Sequence, residues 1–131
     1  MGKAPFLPFH RPWIYDRHIQ AVVDTLKSGW LSSASKVEDF ERAFAKKVGA
    51  KHAVAVNSCT AALHLALVVL GVKPGDEVIT SPITFVSAVS VIGHAGAVVV
   101  FADVCPEDLT IDQANVARGI SSRTKAIIVT H

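Results

Sequence analysis

The sequence predicts an α/β fold built on a mostly parallel sheet. Short apolar runs at 53–56, 78–80, 98–102 and 126–130 lack polar alternation, as strands buried on both faces do. Segments of helical pattern at 60–71, 84–95 and 112–119 separate them, and strands alternating with helices give parallel sheets with right-handed crossovers. The 131 residues suffice for one domain with a core. Half of them are hydrophobic and only 18% are charged. A chain this apolar needs further burial, against a partner subunit or against additional sequence.

The elements follow in order. Pro5-Phe6-Leu7-Pro8-Phe9-His10-Arg11-Pro12-Trp13-Ile14-Tyr15 holds three prolines and four aromatics, which forbids a regular helix and reads as an extended arm over residues 1–15. A helical lead-in spans 16–52. Asp16 is positioned to cap a helix running to Ser28, with Ile19, Val22, Val23 and Leu26 at helical spacing and Gly29 ending it. Gly29-Trp30-Leu31-Ser32-Ser33 is a loop. Ser35 then caps a second helix, with Glu38 completing a capping box. Val37, Phe40, Phe44 and Val48 form its inward face, and Lys36, Glu38, Asp39, Arg42 and Lys46 its outward one. Gly49 stops it. The βα units occupy 53–131, with Pro74-Gly75-Asp76 turning into the second strand.

Charge and cysteine usage narrow the function classes. The formal net charge is +2, and the only adjacent basic pair is Lys46-Lys47, so no nucleic-acid footprint is evident. Cys59 and Cys105 have no metal-type spacing and suggest no disulfide framework, which fits reduced thiols in the cytoplasm. Lys3 is followed by the proline-rich arm rather than an apolar signal region, and the apolar runs are far shorter than a membrane helix needs.

In Val54-Ala55-Val56-Asn57-Ser58-Cys59-Thr60-Ala61, an apolar run meets small polar residues and then a helical pattern. The first N–H groups of a helix lack intrahelical partners and carry partial positive charge. Such a turn seats a phosphate, or it simply caps a core helix through Ser58. Ligands of open α/β sheets bind at the carboxyl ends of strands. Residues 57–60, 81–85, Asp103 and Thr130-His131 are expected at that edge.

Seven motifs in register resemble one family. They are Gly29-Trp30-Leu31-Ser32, Phe40-Glu41 before Val48-Gly49-Ala50, Ser58-Cys59-Thr60-Ala61-Ala62-Leu63 and Gly75-Asp76-Glu77-Val78-Ile79. Thr84-Phe85, Phe101-Ala102-Asp103-Val104 and Thr124-Lys125-Ala126-Ile127 complete the set. The sequence resembles the DegT/StrS-type family of pyridoxal-phosphate-dependent nucleotide-sugar aminotransferases, of aspartate-aminotransferase fold (fold type I). The resemblance covers essentially the whole chain but only the first third of such a protein. It implies the N-terminal part of a three-layer αβα large domain, incomplete in this chain. It also implies that the first strand lies at a sheet edge and that a later strand separates the fourth strand from the second.

What the resemblance implies for the site is specific. Thr60 and the N–H groups of Cys59 and Thr60 would hold the 5′-phosphate of pyridoxal 5′-phosphate. Cys59 stands where the family usually has glycine, which a backbone contact tolerates at negative φ. Phe85 would stack on the pyridine ring. Thr84 and Ser87 either border that site or serve as ordinary caps. Trp30, Leu31 and Ser32 would border the nucleotide-sugar site, although Trp30 equally suits a dimer interface. Asp103 reads as structural, and Asp112 as the cap of the helix at 112–119.

No catalytic residue is expected here, because the Schiff-base lysine and the carboxylate at the pyridine nitrogen would come beyond residue 131. The chain's own lysines sit on solvated faces or beside turns. No metal site is expected: His10, His18, His52, His64 and His94 show no ligand spacing. The implied activity is amino transfer from L-glutamate to a nucleotide-linked keto-sugar, with UDP-linked 4-keto sugars favoured by Phe6-Leu7-Pro8-Phe9 and the Trp30 loop. The implied enzyme is a cytoplasmic homodimer and acts without nucleic acid or membrane. These residues alone would be inactive. Alternatives are a keto-sugar dehydratase of the same fold and a non-catalytic binding or regulatory module. A Rossmann nucleotide binder lacks its Gly-x-Gly-x-x-Gly turn after the first strand.

Overall fold

A computed structural model describes residues 6–8, 10–32 and 35–131. Pro5 and Phe9 of the predicted arm, Lys3, and Ser33 of the following loop lie outside the described residues. The chain divides into two compact units, Met1–Ala55 and Val56–His131.

In the first unit, the described residues before Asp16 carry no regular secondary structure. Phe6, Leu7 and Trp13 there are exposed. Helix α1 spans Asp16–Ser28. Its cap is Tyr15 rather than Asp16: Tyr15 has extended backbone (φ −106°, ψ 161°), and its N–H donates to Nδ1 of His18 at 3.3 Å. Asp16 is the first helical residue instead, and its charge lies at the positive end of the dipole. Gly29 at φ 74° ends the helix.

Helix α2 spans Ser35–Val48. Ser35 is its first helical residue and not a cap, because a cap needs non-helical backbone. Gly49 follows at φ 70°. The predicted apolar stripes exist, and the rings of Phe40 and Phe44 lie 5.8 Å apart. They are not buried as expected. Ile19, Val22, Leu26, Phe40, Phe44 and Val48 are all exposed, and Ala45 is the one buried residue on the two helices. An amphipathic face marks where packing can occur but does not supply the surface that covers it.

No strand forms over 53–56, and Val54 is 80% exposed. A strand requires a hydrogen-bonded neighbour, and none pairs with this run among the described residues. Helix α3 (Cys59–Val69) follows at once. Then come strand β1 (Glu77–Thr80), helix α4 (Ser87–His94), strand β2 (Val98–Phe101), helix α5 (Gln113–Gly119) and strand β3 (Thr124–Ile128). The last strand begins and ends two residues earlier than its apolar pattern predicts, because pairing with β1 starts at Thr124.

The sheet is parallel, in the order β2-β1-β3. This corrects the expected topology: the strand at 126–130 lies directly beside the strand at 78–80, with no later strand between them. Ile79 pairs with Val100 on one side and Ile127 on the other. The hydroxyl of Thr80 donates to the Ile128 carbonyl at 3.1 Å.

Alternation along β1 builds the layers. Val78 joins Leu67 of α3 and Val91 and Ile92 of α4 in one cluster, with Leu63 and Ile128 against it. Ile79 faces the opposite layer, with Ala102 and Ile111, and with Val116 of α5 packed alongside. Helices therefore cover both faces of β1, all four residues of which are buried. Each fully buried aliphatic side chain here contributes about 1.5–3 kcal/mol. The architecture is the predicted three-layer αβα arrangement.

At the amino-terminal end of the sheet, the buried carboxylate of Glu77 pairs with Arg123 and accepts from the Ser121 hydroxyl. That tie joins β1 to the turn before β3. No helix among the described residues is long and apolar enough to cross a membrane.

Candidate functional site

The three parallel strands release their carboxyl ends at one edge. Beyond β1 lie residues 81–85, beyond β2 Ala102 and Asp103, and beyond β3 Val129 to His131. Ser81 is buried, and its hydroxyl accepts the Ile83 N–H at 3.0 Å. The Thr84 and Thr130 hydroxyls are 2.8 Å apart. Phe85 follows Thr84 and is 76% exposed. Its carbonyl accepts the Ala88 N–H at 3.1 Å as α4 begins. Ser87 is buried within α4.

Among the described residues, the turn into α3 has the geometry of a cap with two backbone donors to spare. Ser58 is extended (φ −160°, ψ 156°), and its hydroxyl accepts the Ala61 N–H at 3.1 Å. The Ala62 N–H goes to the Ser58 carbonyl. Among the described residues, the Cys59 and Thr60 N–H groups donate to no protein acceptor outside the helix, and the first turn of a helix offers them no carbonyl. The first turn of α3 carries neither an acidic nor a basic side chain, so the dipole's positive end is unopposed there. Leu109 is the one non-glycine residue at positive φ among those described, so Cys59 keeps ordinary backbone.

Other polar residues have structural partners. The Asp103 carboxylate accepts the Val104 N–H at 2.8 Å, and its carbonyl accepts the Asp112 N–H, framing the bridge between Val104 and Ile111. Asp112 caps α5 by accepting from the Ala114 N–H at 2.8 Å. Cys105 is half-buried in that connection. Burial, and then the carboxylates of Asp112, Asp108 and Glu107, push its thiol pKa up, which keeps it out of the thiolate form. The Thr110 N–H and hydroxyl hold the Asp108 carboxyl below its usual range.

The lysines among the described residues are all exposed. The rings of His64 and His94 lie 6.2 Å apart. No group of three or more metal-ligating side chains occurs among the described residues. Trp30, Leu31 and Ser32 are exposed and belong to the first unit, whereas Cys59, Thr60 and Phe85 belong to the second. Two features escaped the sequence pattern: the Thr84–Thr130 pair and the Glu77–Arg123–Ser121 cluster. Each joins residues more than 40 positions apart.

The pattern of the DegT/DnrJ/EryC1/StrS aminotransferase family matches residues 12–131. The spore coat polysaccharide biosynthesis protein SpsC of Bacillus subtilis is 55% identical over 126 residues, which cover 96% of this chain and 32% of SpsC. The UDP-4-amino-4-deoxy-L-arabinose–oxoglutarate aminotransferase of Shewanella sediminis is 46% identical, over 96% of this chain and 32% of its own length. Spr1654 of Streptococcus pneumoniae, assigned as a sugar aminotransferase, superposes in its PLP form with a TM-score of 0.86 at 40% identity. That alignment covers 92% of this chain and 31% of Spr1654. The PMP form gives 0.87. The chain thus spans about a third of the length of these relatives, and its layers form part of a fold-type I domain. By profile, sequence and fold together, the chain belongs to the DegT/DnrJ/EryC1/StrS aminotransferase family.

Proposed function

We propose that this chain is the phosphate-anchoring part of a pyridoxal-phosphate-dependent enzyme that moves an amino group from L-glutamate to a nucleotide-linked keto-sugar. The observation that carries this reading is the turn at Ser58–Thr60. Ser58 uses its hydroxyl on Ala61 and leaves the donors of Cys59 and Thr60 for a ligand. A dianionic phosphate fits that donor set: two N–H groups, the half-buried Thr60 hydroxyl and a helix terminus without a competing carboxylate. Bound there, the cofactor would supply the electron sink for amino transfer.

The chain's own residues orient it. The Cys59 and Thr60 donors fix the phosphate, and Phe85, exposed at the carboxyl edge of the sheet, supplies an aromatic face for the pyridine ring. Trp30, Leu31 and Ser32 would contact the nucleotide-sugar. The likeness to the Shewanella enzyme favours a UDP-linked 4-keto sugar and the glutamate–oxoglutarate pair. The residues that complete the chemistry lie outside this chain, so residues 1–131 alone are inactive. The whole enzyme works as a cytoplasmic homodimer.

Cofactor titration of the full-length protein tests the anchor. Thr60→Val should weaken pyridoxal phosphate binding by about 1–3 kcal/mol, the scale of a charged acceptor left short of a donor. Unchanged affinity removes Thr60 from the site. Incubation of the same protein with L-glutamate and a UDP-4-keto pentose should yield the amino sugar and 2-oxoglutarate, and absence of both products overturns the assigned activity.

A further inference from the structure

We propose that the Thr84–Thr130 hydroxyl pair is a positioning device that fixes Phe85 against the cofactor ring; the inference rests on the stacking role given to Phe85 above. Phe85 is 76% exposed, so packing against its own chain does not set its place. The segment that carries it does. That segment leaves β1 after Thr80, where the ladder to β3 also ends at Ile128. Side-chain bonds at three residues, Thr80, Ser81 and Thr84, hold it from there. The Thr80 hydroxyl donates to the Ile128 carbonyl at 3.1 Å, and the Ser81 hydroxyl accepts the Ile83 N–H at 3.0 Å. Both of these hydroxyl groups belong to buried residues.

The bond at Thr84 is the Thr84–Thr130 contact at 2.8 Å. It is the one that reaches across to the residues beyond β3 after the backbone ladder has stopped. Thr84 adjoins Phe85 and is β-branched, so its χ1 is stiff and a bond at its hydroxyl constrains the backbone beside the ring. Neither threonine needs to touch the cofactor; both act through Phe85.

The test uses the full-length protein, titrated with pyridoxal phosphate and read by binding affinity and by the circular dichroism of the bound cofactor. Thr130→Val keeps the shape of the side chain and removes its hydroxyl. It should weaken affinity by about two- to tenfold, the range for one lost hydrogen bond, and reduce the cofactor's dichroic signal. Thr130→Ser should restore both readouts. Thr84→Val should match Thr130→Val, and the double variant should be no worse than either single one.

Wild-type affinity and dichroism in Thr130→Val, alongside weakened binding in Phe85→Ala, would overturn the positioning role while leaving the stacking intact. A lower melting temperature of the cofactor-free protein with both readouts unchanged would overturn it too, by reducing the pair to a structural tie. Fully additive effects of the two valine variants would show that the hydroxyls act separately and would also overturn it. If Phe85→Ala itself changes neither readout, the stacking role falls and this inference falls with it.

Discussion

Ser58 does two things that mutation can separate. It caps α3 by accepting the Ala61 N–H, and it borders the Cys59 and Thr60 N–H groups proposed to hold a phosphate. Ser58→Ala removes the acceptor and should cost about 0.5–2 kcal/mol of stability, read from the urea midpoint of the full-length protein without cofactor. Ser58→Asp keeps a good cap and suits the helix dipole, so the midpoint should stay close to wild type. Its carboxylate would nevertheless stand beside the phosphate. Pyridoxal phosphate affinity should then fall by about tenfold or more, given the strength of like charges at short range near a protein surface. A Ser58→Asp variant with wild-type affinity would place the phosphate elsewhere. The Ser58 cap and the start of α3 at Cys59 were legible because a small polar stretch between an apolar run and a helical pattern fixes them locally. The Thr84–Thr130 bond was not legible, because nothing in the type or spacing of two threonines 46 residues apart announces it.

At the scale of elements, the legible features are those set by neighbours in sequence. Helix α1 ends at Ser28 as predicted because Gly29 adopts φ 74°. The cap of α5 is Asp112 because its side chain reaches an N–H two residues on. Features decided by a distant partner shifted or failed. The apolar run at 53–56 has the composition of a strand and no neighbour to pair with among the described residues. Strand β3 is set by its pairing with β1 rather than by where its apolar residues begin. The link between α4 and β2 offers a test of local geometry. Gly96 has φ 72°, and a Cβ there would lie 2.9 Å from Cγ of Pro74. Gly71 has a similar φ of 69° with open space around it. Both alanine variants incur the left-handed penalty of about 1–2 kcal/mol. Gly96→Ala should destabilise further, because the proline ring is tied to its own backbone and cannot swing aside. Equal melting temperatures for the two variants would show that the β1–β2 connection yields more easily than this packing implies.

For the whole molecule, the decisive fact is how much apolar surface stays uncovered. The central strand β1 is fully buried, while β2 and β3 are edge strands whose outer N–H and C=O groups have no ladder partner among the described residues. In the first unit, α1 presents exposed Ile19, Val22 and Leu26, and α2 presents exposed Phe40, Phe44 and Val48. In the second, Ile120, Ile127 and Val129 border an apolar groove of about 490 Å³ beside β3 and α5. Contiguous exposed apolar surface and open strand edges drive association. Residues 1–131 produced alone should therefore bind a hydrophobic dye and sediment as oligomers at micromolar concentration, whereas the full-length protein should bind little dye. Replacing Phe40 and Phe44 with serine removes the largest side chains of the α2 stripe without touching the buried Ala45. That variant should bind less dye and associate less, with its helical circular dichroism retained. A monodisperse, dye-free monomer from the unmodified 131 residues would mean that these faces cover one another in solution, and the dependence on additional surface argued from their exposure would be wrong.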